Sequence, residues 1–465
     1  MSPIDSLSSP ARRRLLLGAG ALGAAGLMPL GSMLAQAGES RSQSLGKGFG
    51  ALRPVRDLNT GLPLLELPEG FSYTSFGWAG ESLEGGIACP NSHDGMGVVA
   101  ADGDLITLVR NHEVVKAAGA YGPSESWYDP VCQGGTVNLQ FDLATQELRR
   151  TWPSLSGTMQ NCAGGVTPWG SWLSCEEYVA DAGMLDSRGG PPLQKDHGFV
   201  FEVPASGVSN AIALRAMGQF RHEAAVVHTA TGDVYLTEDG EPSSGFYRFV
   251  PTQPGKLAAG GQLFMLKAKG RVELRSGLKV GQKFAVEWVP IDNPDRGYDH
   301  QRRNIFGVQR QGFAQGASRF TRLEGCFVDD DAIYFTATNG GDAACGQVFV
   351  YRANSAELEL LYESPDAAVL DYPDNICISP RGGMVICQDS KQDRQHLYGL
   401  SSNGRLFAFA RQNVLLDGAK GFRGDYRGAE WAGSCFSPDG RYLFANIYSP
   451  GFTVAITGPW KKGLI

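Results

Sequence analysis

"EAAVVHTATGDVYLTED", residues 223–239, places a carboxylate at each end of two apolar runs that meet at Thr231-Gly232-Asp233. Gly and Asp favour tight turns, and the flanking runs have the length of short strands. The stretch predicts a hairpin whose two ends return to the same level. The pattern recurs along the chain. Asn161 leads to Glu176 fifteen positions on, and Glu324 leads to Asn339 fifteen on through "EGCFVDDDAIYFTATN". Asp374 leads to Asp389 fifteen on through "DNICISPRGGMVICQD", and Glu430 to Asn446 sixteen on through "EWAGSCFSPDGRYLFAN". A weaker copy runs from about Asp94 to Asn111-His112-Glu113.

Each copy is followed by outer-strand patterns such as "TVNLQFDLATQEL", "HGFVFEVPASG", "SGFYRFVP" and "GQVFVYRANSAELELLY". Six copies at a spacing of about 50 to 65 residues predict an all-β fold, a β-propeller of about six blades. The extra length between 251 and 320 predicts an inter-blade insertion crossing one face. A pair of β-sandwiches would account for the strands but not for the regular pairing.

The 42% hydrophobic and 10% aromatic content of the 465 residues excludes a disordered chain, and 62 Gly with 25 Pro suits many strands joined by turns. A formal net charge of −7 argues against a nucleic-acid partner. Residues 1–37 read as an export signal. Arg12, Arg13 and Arg14 precede an apolar, glycine-rich stretch that ends in an A-x-A site at Ala37. Consecutive arginines there resemble a signal for the twin-arginine export machinery, with an ordinary secretory signal or an uncleaved anchor as the alternative reading. Residues 38–465 then form a single propeller domain, periplasmic or secreted, monomeric, with no membrane span in the mature chain. Nine cysteines leave at least one thiol unpaired in a monomer. Cys326, Cys377 and Cys435 sit in strand-like runs and read as core, whereas Cys162 lies among glycines in "NCAGGVTPWGSWLSCEEY", residues 161–178.

In a propeller blade the innermost strand and its partner start and finish at one face. The repeat therefore predicts one axial mouth lined by Glu113, Asn161, Cys162, Glu176, Glu177, Glu223, Asp239, Glu324, Asp374, Asp389, Glu430 and Asn446. Any one of these acids, taken alone, reads equally well as a solvated turn residue. Converging carboxylates repel one another unless protons or cations intervene. Calcium suits oxygen ligands, and a thiolate among carboxylates adds a transition-metal site, with iron more natural than zinc. The ring thus predicts that cations sit at this mouth.

These segments also carry a resemblance. "NCAGGVTPWGSWLSCEE", "FRHEAAVV", "GFYRFVP", "TRLEG", "DYPDN" and "PDGRYLFAN", behind an arginine-rich leader, resemble the PhoX family of bacterial alkaline phosphatases. The resemblance implies a propeller that hydrolyses small phosphomonoesters at a cluster of ferric iron (Fe3+) and calcium (Ca2+). It implies that Cys162 is an iron ligand and part of the catalytic set, that Glu113, Glu176, Glu177, Glu223, Glu324, Asp374 and Asp389, together with Asp239, share the iron and calcium, and that Arg322 grips the phosphate. Arg221 and Arg381 are rivals for that role; Arg322 stands two residues from Glu324, on the same side of an extended segment. Val166 departs from the pattern, standing where a polar or basic residue is expected. His112, His197 and His222 flank the motifs and are expected to support ligands rather than react. Two other readings fit the repeat alone. One is a calcium propeller acting on lactones, phosphotriesters or phosphodiesters, and the other a non-catalytic binding propeller.

Overall fold

The computed structural model describes residues 45–115, 118–185, 190–298 and 305–465; the expected signal segment, 1–37, lies outside them. Six innermost strands, His93–Asp102, Asn161–Val166, His222–Val227, Leu323–Asp329, Pro373–Ile378 and Trp431–Phe436, each pair antiparallel with the strand that follows. Each of the six packs against the next, and the last packs against the first. That closed ring makes the fold an all-β propeller. The inner strands approach backbone to backbone at the axis. A Cβ added to Gly95 would lie 2.5 Å from the Cα of Ala163, and one added to Gly325 would lie 2.6 Å from the Cα of Asn375.

The six hairpins do not build six separate sheets. The first, second, fifth and sixth head sheets of four, three, six and four strands. The third and fourth share one nine-stranded sheet with an inner strand at each edge. Its two halves join where Lys283–Ala285 pairs with Glu357–Glu359. The sixth sheet is closed by an early strand: Ser72–Phe76 pairs with Phe452–Thr457, tying the start of the described chain to its end.

The 251–320 segment is more than the cross-face excursion expected of it. It contributes the strands Gly261–Ala268 and Lys283–Ile291, which form the seam of the nine-stranded sheet, and the helix Gly307–Ala314. Along the second of these strands Phe284, Val286, Val289 and Ile291 are buried while Lys283, Ala285, Glu287 and Pro290 are exposed. That near-alternation is the period-two signature of a strand covered on one face. Aromatic packing fills the space between the halves, with Phe246 stacked on Phe335 at 4.2 Å between ring centroids.

Candidate metal centre

Every innermost strand carries a register irregularity at the same place. It falls between His93 and Met96, Asn161 and Gly164, His222 and Ala225, Leu323 and Cys326, Pro373 and Ile376, and Ala432 and Cys435. A bulge inserts an unpaired residue and re-aims its side chain. The residue just inside the bulge is Asp94, Cys162, Glu223, Glu324 or Asp374 in the first five strands, and Gly433 in the sixth. Four of these five are preceded, two positions earlier, by a residue in the left-handed region: Ser92, Gln160, Arg322 and Tyr372, with φ of 52°, 51°, 39° and 54°. Non-glycine residues adopt that conformation at a cost, so its repetition marks a turn that the fold imposes.

The second strands supply the other half of the ring. Their last paired residues are His112, Glu176, Glu238, Ala337 and Gln388. The residues that follow are Glu113, Glu177, Asp239, Thr338 and Asp389, and in the sixth blade Tyr448 follows Ile447. Adjacent strand residues point to opposite faces, so the paired residue turns into the blade and its successor turns to the mouth.

The result is a chain of candidate ligand groups. Donor atoms of Cys162, Glu177 and Glu223 lie within 4.8 Å of one another, as do those of Glu223, Glu324 and Asp374, and those of Asp374, Asp389 and Glu430. Burial, reinforced by the charges of Glu113, Asp374 and Glu177, holds Asp94 well above the usual carboxylate range. Burial and then the repulsion of Glu324 and Asp374 do the same to Glu223. Burial and Asp239 raise Glu177, and burial with Asp389 raises Glu430. Burial and Asp389 push Asp374 up to about 7. Burial, then the charges of Glu223 and Glu177, also push the Cys162 thiol well up, and it donates to the carbonyl of His222 at 3.2 Å. This set of acids cannot all ionise together without cations.

Two arginines stand at the rim. Arg322 donates from Nε to Asp239 Oδ1 at 3.1 Å and from Nη2 to Glu324 Oε1 at 2.6 Å. Arg221 donates from Nη2 to Glu177 and, at 3.1 Å, to Asp239 Oδ2. Burial opposes the charge on Asp239, but the two guanidiniums outweigh it and hold this carboxyl below the usual range. Arg381 sits elsewhere. It lies in the turn at the opposite end of its hairpin, 5.7 Å from the ring of Trp460. That end of the axis is a cavity of about 480 Å³ whose wall includes Val98, Val226, Val328 and Ile376.

The structure thus brings Glu113, Cys162, Glu177, Glu223, Asp239, Glu324, Asp374, Asp389 and Glu430 to one mouth, with Arg322 and Arg221 beside them. Three residues expected there face elsewhere. Glu176 accepts from Met159, Gly198 and Phe199 backbone N–H groups and lies 2.7 Å from His197 Nδ1. Asn161 donates to Ser174, and Asn446 donates to the carbonyl of Asp94. All three are strand-paired positions; Asn161 and Glu176 stand one residue from the mouth-facing Cys162 and Glu177, and Asn446 two residues before Tyr448. Asp94 and Tyr448, which hydrogen-bonds Glu113, belong to the ring without having been expected as ligands. Asp94 opens the weakest copy of the repeat, and a lone tyrosine carries no metal signal. His112 and His222 bond backbone carbonyls of Asn91 and Gly218, behind the ring. All nine cysteines are unpaired; Cys326 and Cys377 are buried, and Cys435 is half-buried with its thiol raised by burial to about 12.

The chain matches the family described as Alkaline phosphatase PhoX over residues 47–146 and 133–451. It belongs to the PhoX alkaline phosphatase family. The PhoX match runs through all six inner hairpins and so takes in every mouth residue named above. No curated protein matches the chain significantly. Among solved structures it is similar to the β-propeller domain of Cps50 (Swd1) from Myceliophteria thermophila. The two share 11% identity over 81% of this chain and 85% of that one, with a TM-score of 0.36. It is also similar to a 6-phosphogluconolactonase, so described, from Bacteroides uniformis, at 15% identity over 77% and 78%, with a TM-score of 0.35. Among the described residues no helix is long and apolar enough to cross a membrane.

Proposed function

We propose that this PhoX-family chain is a metal-dependent phosphatase that hydrolyses phosphomonoesters at an iron and calcium cluster on the propeller axis. The observation that carries the reading is the bulge-aimed ring of carboxylates around one thiol, with two arginines on its rim. The donor set fits the expected ions. Cys162, Glu177 and Glu223 combine a thiol with carboxylates, which suits ferric iron. Glu324, Asp374, Asp389 and Glu430, with Asp94 and Glu113, offer the hard oxygens that calcium takes. When bound, these cations supply the positive charge that phosphoryl transfer requires.

The chain's own side chains divide the remaining work. Arg322 forms charge-assisted hydrogen bonds to phosphate oxygens, held in orientation by Asp239 and Glu324. Asp239, fixed between Arg221 and Arg322, would still have carboxylate lone pairs free to hold a calcium. Glu176, bonded to His197, anchors the chain next to Glu177, whose own carboxylate is held by Gln160 and Arg221. Export by the twin-arginine route to the periplasm or beyond, as a monomer, completes the reading.

The test is metal analysis of the purified native protein together with hydrolysis of p-nitrophenyl phosphate before and after chelation. Bound iron and calcium, and activity that chelation removes, support the proposal. A metal-free protein, or activity indifferent to chelation, defeats it.

A further inference from the structure

Beside the arginine rim lies a second concavity, of about 450 Å³, whose lining includes Glu241, Ser243, Phe306, Arg310, Phe313 and Arg319. Its volume falls in the range of small-molecule sites. Its lining adjoins the mouth through the backbone. The backbone N–H of Arg322 donates to the carbonyl of Gly240 at 3.0 Å, and Glu241 is the next residue. The helix Gly307–Ala314 is pinned to the same lining by Gln309, whose Nε2 donates to Glu238 Oε1 at 3.0 Å and to the carbonyl of Ser243 at 3.1 Å. Glu238 directly precedes Asp239, the carboxylate that orients Arg322. Within this lining the Arg319 guanidinium lies 4.0 Å from the ring centroid of Phe313, and its Nε lies 3.7 Å from Glu273 Oε1.

We propose that this groove is the leaving-group subsite of the phosphatase centre and that it receives the base of a nucleoside 5′-phosphate. The inference rests on the phosphatase reading and deepens it. A guanidinium seated on a phenyl ring presents a flat cationic plane, and such planes stack on nucleobases. Glu241, at the end nearest Arg322, offers a carboxylate to ribose hydroxyls, as acidic residues do in nucleotide sites. The proposed path runs from phosphate at Arg322, whose N–H bonds Gly240, to ribose at Glu241, the next residue, and on to the base at Arg319 and Phe313. The inter-blade segment 251–320 then has a catalytic use: its last part builds the wall that selects the ester.

Adenosine 5′-phosphate and ribose 5-phosphate share the same primary alcohol as leaving group and differ in the base. Their kcat/KM values are compared on metal-loaded, full-length protein. Wild type is expected to favour adenosine 5′-phosphate by about tenfold, mostly through KM, the scale of one stacked base. Phe313→Ala and Arg319→Ala should each remove most of that preference while leaving ribose 5-phosphate turnover and melting temperature near wild type. Should Arg319→Ala fail to fold, Arg319→Lys keeps the charge without the plane and should still lose preference. Free adenosine should compete with substrate in wild type and not in Phe313→Ala. Equal kcat/KM for the two esters in wild type, or variants that slow both alike, overturns the subsite alone. Absence of turnover on both esters overturns the phosphatase reading and this inference with it.

Discussion

Arg322 Nη2 donates to Glu324 Oε1 at 2.6 Å, across a backbone turned left-handed at Arg322 with φ of 39°. The two residues are near neighbours in sequence, but an extended segment is not what brings them together. The turn ahead of the bulge swings the guanidinium to the rim while the bulge aims the carboxylate to the axis. Bonded to Glu324 and Asp239, the guanidinium stays at the rim, where the proposed function needs a cation.

Arg322→Ala should therefore lower kcat/KM for a simple monoester by roughly ten- to hundredfold, the loss of charge-assisted hydrogen bonds worth about 1.5–3 kcal/mol. Arg322→Lys should recover only part, since a point charge cannot replace a planar fork. Inhibition by inorganic phosphate should weaken in parallel. Arg381→Ala, at the opposite end of the axis, should change little; steady-state kinetics on the three variants check the ordering.

Cys162→Ser should abolish activity and any visible absorption from a ferric thiolate while the far-UV circular dichroism stays that of the folded propeller. The thiol is buried among Glu177 and Glu223, and serine is a far weaker ligand for iron. A coloured, active Cys162→Ser protein would refute the ligand role.

Chelation should lower the melting temperature, and the stability left behind should depend on pH in a definite direction. In the metal-free ring the folded-state pKa values of Asp94, Glu177, Glu223 and Glu430 are raised, and Asp374 stands at about 7, against the usual carboxylate range near 4. The folded protein then binds more protons than the unfolded chain, so its stability falls as pH rises through the raised values. Melting of chelated protein should therefore drop from pH 5 to pH 8, more steeply than that of metal-loaded protein. A flat or rising profile would contradict the ring's electrostatics.

His197 offers a test of the support behind the ring. Burial opposes its charge, but Glu176 at 2.7 Å and Asp129 at 3.4 Å hold its pKa well above the ordinary histidine value. That contribution is full below about pH 6.5 and is lost as pH rises through the raised value. His197→Gln should cost on the order of 3 kcal/mol at pH 6, the scale of a broken buried pair. The deficit relative to wild type should shrink at alkaline pH, as read by denaturant unfolding.

The repeat beginning at Asp94, Asn161, Glu223, Glu324, Asp374 and Glu430 was legible because strand length and turn chemistry are local properties. With it came the all-β propeller, a single axial mouth, and the gathering of Cys162, Glu177, Glu223, Glu324, Asp374 and Asp389. Which of two adjacent residues faces the axis was not legible, because it depends on pairing register and bulges, and a one-residue shift reverses every side chain. Hence Glu176 looked equivalent to Glu177, and the structure turned it towards His197. The strands of 251–320 hid for a related reason. The second of them pairs with the fourth blade across some seventy residues of chain, Lys283 with Glu359, and no local pattern encodes that partner. Local chemistry in the sequence determined which groups are available at the mouth. Long-range pairing in the folded chain decided which of them meet.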